Sequence, residues 1–431
     1  MISFPEIEKA SPQEIKQFQE RELQKTLRYV EQNSPYYQRL FKENAINANA
    51  ITTLEELQQI PTTGKDELQQ FNDDFLCVTK QQIIDYVTTS GTLGDPVVVG
   101  LTNADLDRLA YNEAISMACS GVTQEDTIQL MTTIDRRFMA GMAYFLGARK
   151  LGAGIIRVGS GVPELQWDSI LKFNPTYLIT VPSFLLKLIR YAETHTINLN
   201  ETSVKAAICI GEPIRDQDFS KNILAEKIQS KWNIELFSTY ASTEMSTAFN
   251  ECQEQRGGHQ HPELIITEVL DENDNQVAEG EVGELTITTL GVEGMPLIRF
   301  KTGDMVQMHT KACPCGRNTN RLGPVIGRKK QMIKYKGTTL YPPAMLNVLQ
   351  HFDEVETFVV QISTNDLGTD EIVLKIASET PSKELIGAIK DHFRAKLRVT
   401  PTIVFDTVQT IEKLRKSKTE RKPQIIIDTR Y

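Results

Sequence analysis

The chain has 431 residues, a formal net charge of −9, 40% hydrophobic side chains and 24% charged ones. That length exceeds one ordinary core and predicts two or more domains. The acidic balance excludes a nucleic-acid partner, which needs a basic face to meet phosphates.

No apolar run reaches the roughly 20 residues that cross a bilayer, so no membrane partner is expected. The start, "MISFPEIEKA", shows no signal peptide, and six cysteines are too few for a disulfide scaffold. A cytoplasmic protein with reduced thiols is the expectation.

From Gln13 to about Gln32 the pattern predicts a helix, with Leu23, Leu27 and Val30 at helical spacing and Pro35 beyond its end. "IIDYV" and "VVVGLT" predict two strands that flank "TTSGTLGDP", Thr88 to Pro96. "TIQLMTT" and "TYLITVP" predict buried strands, and "SFLLKLIRYAETH" predicts an amphipathic helix. "VKAAICIGEP" is an apolar run ending in a glycine turn, and "GEVGELTITTL" is strand-like. Alternation of this kind predicts α/β architecture, with helices covering sheets.

A boundary is expected near "VIGRKKQMIKYKG", Val325 to Gly337. Beyond it "VETFVVQIS", "EIVLKIAS" and "TIVFDTV" predict strands. "SKELIGAIKDHFRAKL" predicts a helix capped by Ser382, with Leu385, Ile389, Phe393 and Leu397 on one face. The expected division is a large domain over 1–327 and a small, mobile α/β lid over 328–431.

The glycine-rich loop invites a ligand. Gly91 and Gly94 let the backbone turn tightly and bring N–H groups against an anion, while Thr88, Thr89, Ser90 and Thr92 add hydroxyls. It is not a Walker loop, since no Gly-Lys-Ser/Thr follows. The same residues also fit a plain hairpin turn.

Four more segments follow in order: "GEP" (Gly211 to Pro213), "STYASTEM" (Ser238 to Met245), "IRFKTGDMV" (Ile298 to Val306) and "GRKKQMIKYKG" (Gly327 to Gly337). With the loop they resemble the signature set of adenylate-forming enzymes, the acyl-CoA synthetase superfamily. Within it "TIDRRFMAGMAYFLGARKLGAGIIRVGSG", the "ECQ…GGH" segment, "CPCGR" and a terminal "IIIDTR" are most similar to phenylacetate–CoA ligases.

That resemblance implies activation of an aryl carboxylate by ATP and Mg²⁺ as an acyl-adenylate, then transfer to coenzyme A. Thr89, Ser90, Gly91, Thr92 and Gly94 would hold the β- and γ-phosphates. Glu244 would bind Mg²⁺, a hard cation that wants a carboxylate; the other reading is a surface Glu at a helix start. Thr243 would approach the α-phosphate, within the run Ala241, Ser242, Thr243. Gly211, Glu212 and Pro213 would line the adenine, and Tyr240 would stack on it or border the acyl pocket. Relatives usually have Gly where Ala241 stands, which would narrow that pocket. Asp304 would take both ribose hydroxyls, and Arg328 would reach the ribose or phosphate. Lys330 falls at the hinge position. Lys422 falls in place of the adenylation lysine, with Lys416 and Lys418 as competitors, Arg421 where glycine is expected and Ser417 where proline is expected.

"RRFMAGMAYF" offers Phe138, Ala140, Gly141 and Tyr144, with Met139, Met142 and Ala143, to a flat apolar group such as an aryl ring; such a stripe is equally a core. An indole acid would also be compatible. Two other readings stay open: an adenylyltransferase that passes AMP to a hydroxyl, and a scaffold without catalysis, motivated by the irregular lysine segment. A homodimer also stays open.

Cys252, His259, Cys313 and Cys315 supply three thiolates and an imidazole, a tetrahedral zinc set. The resemblance supports it, with His261 and His309 as rival fourth ligands and a structural role for the closed site. Cys77, Cys119 and Cys209 sit in apolar settings and read as core residues.

Overall fold

Runs such as "YLIT" and "AAIC" carry no charge on either face, so strands built from them need cover on both sides. The computed structural model describes residues 5–89, 97–335, 338–365, 370–416 and 424–430. In it these runs form the strands Tyr177–Thr180 and Ala206–Cys209, buried at every position. They lie in a parallel sheet ordered Gly154–Arg157, Thr127–Leu130, Tyr177–Thr180, Ala206–Cys209, Glu235–Ser242. The sheet continues antiparallel through Thr247–Asn250, Gly258–His259 and Arg321–Leu322 to Phe300–His309. Val282–Thr289 and Ile265–Leu270 complete that side.

Side-chain alternation divides the core. Leu178, Ala207, Cys209 and Leu236 pack with Trp167, Leu185 and Leu188 from the helices Pro163–Phe173 and Pro182–Thr194. Ile128, Leu130, Ile179, Ile208 and Phe237 pack on the opposite face with Ala114, Met117, Tyr144 and Ala148 from the helices Asn103–Cys119 and Met139–Leu151. The expected first helix is Pro12–Asn33, closed by a capping box between Ser11 and Glu14, with Leu23, Leu27 and Val30 buried. Asp85–Thr88 and Val98–Leu101 pair antiparallel, with Thr88 opposite Val98.

The chain divides into two compact units. One holds the described residues up to Thr302 and Val306–Pro324; the other holds Gly303–Met305 and Val325 onward. The division falls between Pro324 and Val325, ahead of the expected 327/328 boundary. Gly303–Met305 goes with the second unit because Asp304 pairs in register with Arg328, and Met305 with Gly327.

The second unit carries a sheet ordered Thr402–Phe405, Asp370–Ala377, Thr357–Thr364, Ile426–Asp428. The middle pair is antiparallel and the outer two are parallel additions. Ile362, Leu374 and Ile376 bury one face against Leu385, Ile389 and Phe393 of the helix Lys383–Leu397. Ser382 caps that helix, its Oγ accepting from Leu385 N at 3.1 Å. The terminal "IIIDTR" is the edge strand and its anchor. Arg430 is bidentate to Asp428 and donates to Asp370 at 2.7 Å.

Candidate active site

In a parallel sheet, loops that leave the carboxyl ends of the strands make the ligand crevice. "GEP" is one such loop, just past Ala206–Cys209. Gly211 sits at φ 74°, which an L side chain rarely adopts. The Glu212 carboxylate accepts from Ser183 N and Oγ, both at 2.9 Å. Ser183 lies in the first turn of the helix Pro182–Thr194, where an anion is favoured. The Glu212 side chain, expected to line the adenine, is thus committed to the scaffold; its backbone is what remains for a ligand.

"STYASTEM" builds the next feature. Glu235–Ser242 and Thr247–Asn250 form a hairpin, with Tyr240 opposite Phe249 and Ala241 opposite Ala248. Thr243 to Ser246 form its turn, so Glu244 stands on a hairpin and not at a helix start. Ser242 Oγ accepts from Met245 N at 3.3 Å, and Ser246 takes φ 48°. Glu244 is half-buried, and its carboxylate has no hydrogen-bond or ion-pair partner among the described residues. A partly desolvated carboxylate without a partner is poised for a cation.

Arg108 fixes that turn from below, and nothing in the sequence patterns singled it out. It is 8% exposed. It donates to Ser246 O at 2.6 Å, Thr247 Oγ1 at 3.1 Å, Leu264 O at 2.6 Å and Leu290 O at 2.7 Å. Burial lowers its pKa to about 10, so it stays cationic at neutral pH.

Thr89 is buried, and it closes the base of the glycine-rich loop. Its N–H donates to Val97 O at 3.0 Å, and its Oγ1 accepts from Val97 N at 3.1 Å. Ser90, Gly91, Thr92 and Gly94 lie outside the described residues, as do Lys422, Ser417, Lys418 and Arg421. Lys416 is exposed just past the helix Val408–Arg415.

In the second unit Arg328 Nε stands 3.5 Å from Asp304 Oδ1. Gly303, before Asp304, takes φ 79°, which lets the strand bend. Gly327, before Arg328, packs under Tyr341, where a Cβ would come within 2.5 Å of the ring. Lys330 is exposed in the 3-10 turn Lys329–Gln331.

Phe138 precedes the helix Met139–Leu151 and is half-buried, like Ala140. Gly141, expected in the pocket wall, instead seats the helix: a Cβ there would lie 2.0 Å from Thr133 O. Tyr144 belongs to the core cluster beneath the strand ends. Beside it is Glu113, which sequence reasoning missed. Burial pushes the Glu113 carboxyl up to about 8, against a modest opposing hydrogen bond from Asn112.

A carboxyl raised in this way holds a proton that the unfolded chain has released. Stability therefore falls as pH rises from about 4.5 to about 8, then levels off. Glu113→Gln should gain a few kcal/mol relative to wild type between about pH 5 and about pH 8. Urea unfolding at those two values checks it; equal differences at both would contradict the assignment.

The cysteine and histidine segments converge. The ligand atoms of Cys252, His259, Cys313 and Cys315 all lie within 4.8 Å of one another. Cys252 Sγ is 3.7 Å from Cys313 Sγ, and Cys315 Sγ is 3.6 Å from His259 Nε2. A tetrahedron with metal–sulfur bonds of about 2.3 Å has edges of about 3.8 Å, so the donor set fits zinc. Thr319 Oγ1 meets His259 Nδ1 at 2.8 Å, which leaves Nε2 toward the thiols. Hydrogen bonding from Cys252, then from His259 and Arg317, holds the Cys315 thiol far below its ordinary range. Neither rival belongs to the cluster. His261 uses Nδ1 on Glu8 at 2.5 Å and Nε2 on Ser116 at 3.0 Å. His309 packs edge-on against Phe219. Cys77, Cys119 and Cys209 are buried free thiols.

Fold and family together define an adenylate-forming enzyme. The family described as AMP-binding enzyme matches residues 15–294, and the chain belongs to that family. Among its relatives, the phenylacetate-coenzyme A ligase of Thermus thermophilus is 29% identical over 90% of this chain and 86% of its own length. The phenylacetate-coenzyme A ligase of Escherichia coli K12 is 27% identical over 88% of this chain and 86% of its own. A crystal structure of 2-hydroxyisobutyryl-CoA ligase with 2-HIB-AMP superposes with a TM-score of 0.86 at 22% identity, over 99% of this chain and 92% of that one. At that identity the likeness establishes the fold.

Proposed function

We propose that this chain is an AMP-forming ligase that joins an aryl carboxylate, phenylacetate or a close analogue, to coenzyme A. The observation that carries it is the partnerless Glu244 carboxylate on a hairpin turn braced by Arg108, in a chain of the AMP-binding family. The phenylacetate-coenzyme A ligases named above support the substrate class.

A carboxylate is a poor electrophile because its charge is delocalised and oxide is a bad leaving group. Its oxygen attacks the α-phosphorus of ATP, the bond to the β-phosphate oxygen breaks, and pyrophosphate leaves. The thiol of coenzyme A then attacks the acyl carbon and expels AMP. Both steps bring anions together, so positioning and charge neutralisation do most of the work. Glu244 would hold Mg²⁺, a hard cation that would offset the negative charge of the phosphates. Thr243 faces the α-phosphate, and the backbone of Gly211 to Pro213 borders the adenine. Asp304 and Arg328 take the ribose and phosphate, Lys330 is the hinge of a mobile lid, and Lys422 is the adenylation lysine, all on the resemblance of their motifs.

Cys252, His259, Cys313 and Cys315 would hold one Zn²⁺. Four protein ligands leave no open position, so its role is structural. Purified protein should carry about one zinc per chain, and Cys313→Ser should lose the metal and lower the unfolding midpoint. Metal-free protein with unchanged stability in that variant contradicts the site. No helix among the described residues is long and apolar enough to cross a membrane. With free cysteines throughout, a reducing cytoplasm fits.

The test is product analysis. Mass spectrometry should find an aryl-CoA thioester that requires ATP, Mg²⁺, acid and coenzyme A together. AMP attached to a hydroxyl-bearing product, with no thioester, would overturn the acceptor.

A further inference from the structure

Two buried polar groups beneath the hairpin have unspent hydrogen-bonding capacity. Glu113 on helix Asn103–Cys119 is 6% exposed, and Tyr144 on helix Met139–Leu151 is 4% exposed. The helices cross at Gly147, where a Cβ would stand 2.3 Å from Glu113 Cβ. Glu113 Oε1 accepts from Asn112 Nδ2 at 3.1 Å. Glu113 Oε2 has no partner among the described residues, and neither has Tyr144 Oη. Burial first, and Glu113 second, raise the Tyr144 phenol well above its usual range, so the two groups are electrostatic neighbours.

Their place in the fold matters as much as their chemistry. Tyr144 lies in the first half of helix Met139–Leu151, which follows the carboxyl end of strand Thr127–Leu130, and shares a core cluster with Leu130, Val181 and Ile210. Helical side chains lean toward the helix N-terminus, here toward that strand end and the half-buried Phe138. Asn112 ties the pair to the hairpin, its Oδ1 accepting from Ala248 N at 3.0 Å, and Ala248 faces Ala241. Neither Glu113 Oε2 nor Tyr144 Oη is among the fully enclosed side-chain atoms without a partner, so each still borders space that a polar group could enter. The proton that Glu113 keeps at neutral pH makes Oε2 a donor, and Tyr144 Oη can donate or accept.

We propose that Glu113 and Tyr144 form the inner end of the acyl pocket and bind a hydroxyl on the aromatic ring of the acid. This rests on the ligase reading above. The ring hydroxyl accepts from one group and donates to the other, so the pair sets substrate specificity without touching the reacting carboxylate.

The experiment compares kcat/KM for acid-dependent pyrophosphate release with phenylacetate, 4-methylphenylacetate and the 3- and 4-hydroxyphenylacetates. A site built to hydrogen-bond a hydroxyl rejects an isostere lacking it, so one hydroxylated acid should exceed the methyl acid by about 100-fold or more. Glu113→Gln, which keeps a neutral donor, should hold that ratio within about tenfold, while Glu113→Leu and Tyr144→Phe should pull it toward one. Equal turnover of methyl and hydroxyl acids by the wild type overturns the proposal and leaves the ligase reading intact. So does an unchanged ratio in Tyr144→Phe, should Glu113→Leu not fold. Silence with every aryl acid tried overturns the ligase reading, and this proposal with it.

Discussion

Glu244→Gln should slow acid-dependent pyrophosphate release by about 100-fold or more at saturating ATP and acid. The change replaces one oxygen by an NH₂ of the same shape and removes a full negative charge. Because the carboxylate makes no hydrogen bond or ion pair among the described residues, the fold has little to lose. Stability should therefore stay within about 0.5 kcal/mol of wild type. The loss should be partly recovered by raising Mg²⁺, since the amide is a weaker ligand for a hard cation. Steady-state rates at several Mg²⁺ concentrations, with a urea melt beside them, separate these effects. A variant within twofold of wild type at all concentrations would remove Glu244 from the metal site.

Arg108→Leu should destabilise the large unit by about 3–5 kcal/mol, since four buried acceptors lose their donor at once. Leu290, Leu264 and the Ser246–Thr247 turn come from distant parts of the chain, and one planar fork joins them. Arg108→Lys should not restore stability, because an ammonium lacks the five-donor geometry. Activity should fall with stability, as the turn that carries Glu244 loosens. Urea unfolding of the three proteins checks this. Full stability in Arg108→Lys would mean that charge, and not the fork, is what the site needs.

These two residues differ in how visible they are before folding. Glu244 stands in a motif with fixed neighbours, and the alternation around it marks a strand and a turn. Arg108 bonds to groups 138 to 182 positions away, and no local pattern records such distances. Glu113 is hidden for a similar reason: its burial depends on Gly147 admitting a second helix. The parallel strands were legible because "AAIC" and "YLIT" have no face that tolerates water. The Ser382 cap was legible because capping is local.

The zinc set was half legible. Three cysteines and several histidines announce a metal, but their choice depends on where a neighbouring carboxylate falls. Glu8 takes His261, and Arg317 joins the same carboxylate at 2.7 Å, so the first described residues of the chain decide which imidazole is left. Glu212 shows the opposite case, a motif residue whose side chain serves the scaffold through Ser183.

The decisive measurement is exchange of labelled pyrophosphate into ATP, run with Mg²⁺ and an aryl acid but without coenzyme A. Label should enter ATP only when the acid is present, because formation of the mixed anhydride is reversible and needs no thiol. Exchange that ignores the acid, or none with any aryl carboxylate offered to folded, ATP-binding protein, would contradict the chemistry assigned to this fold.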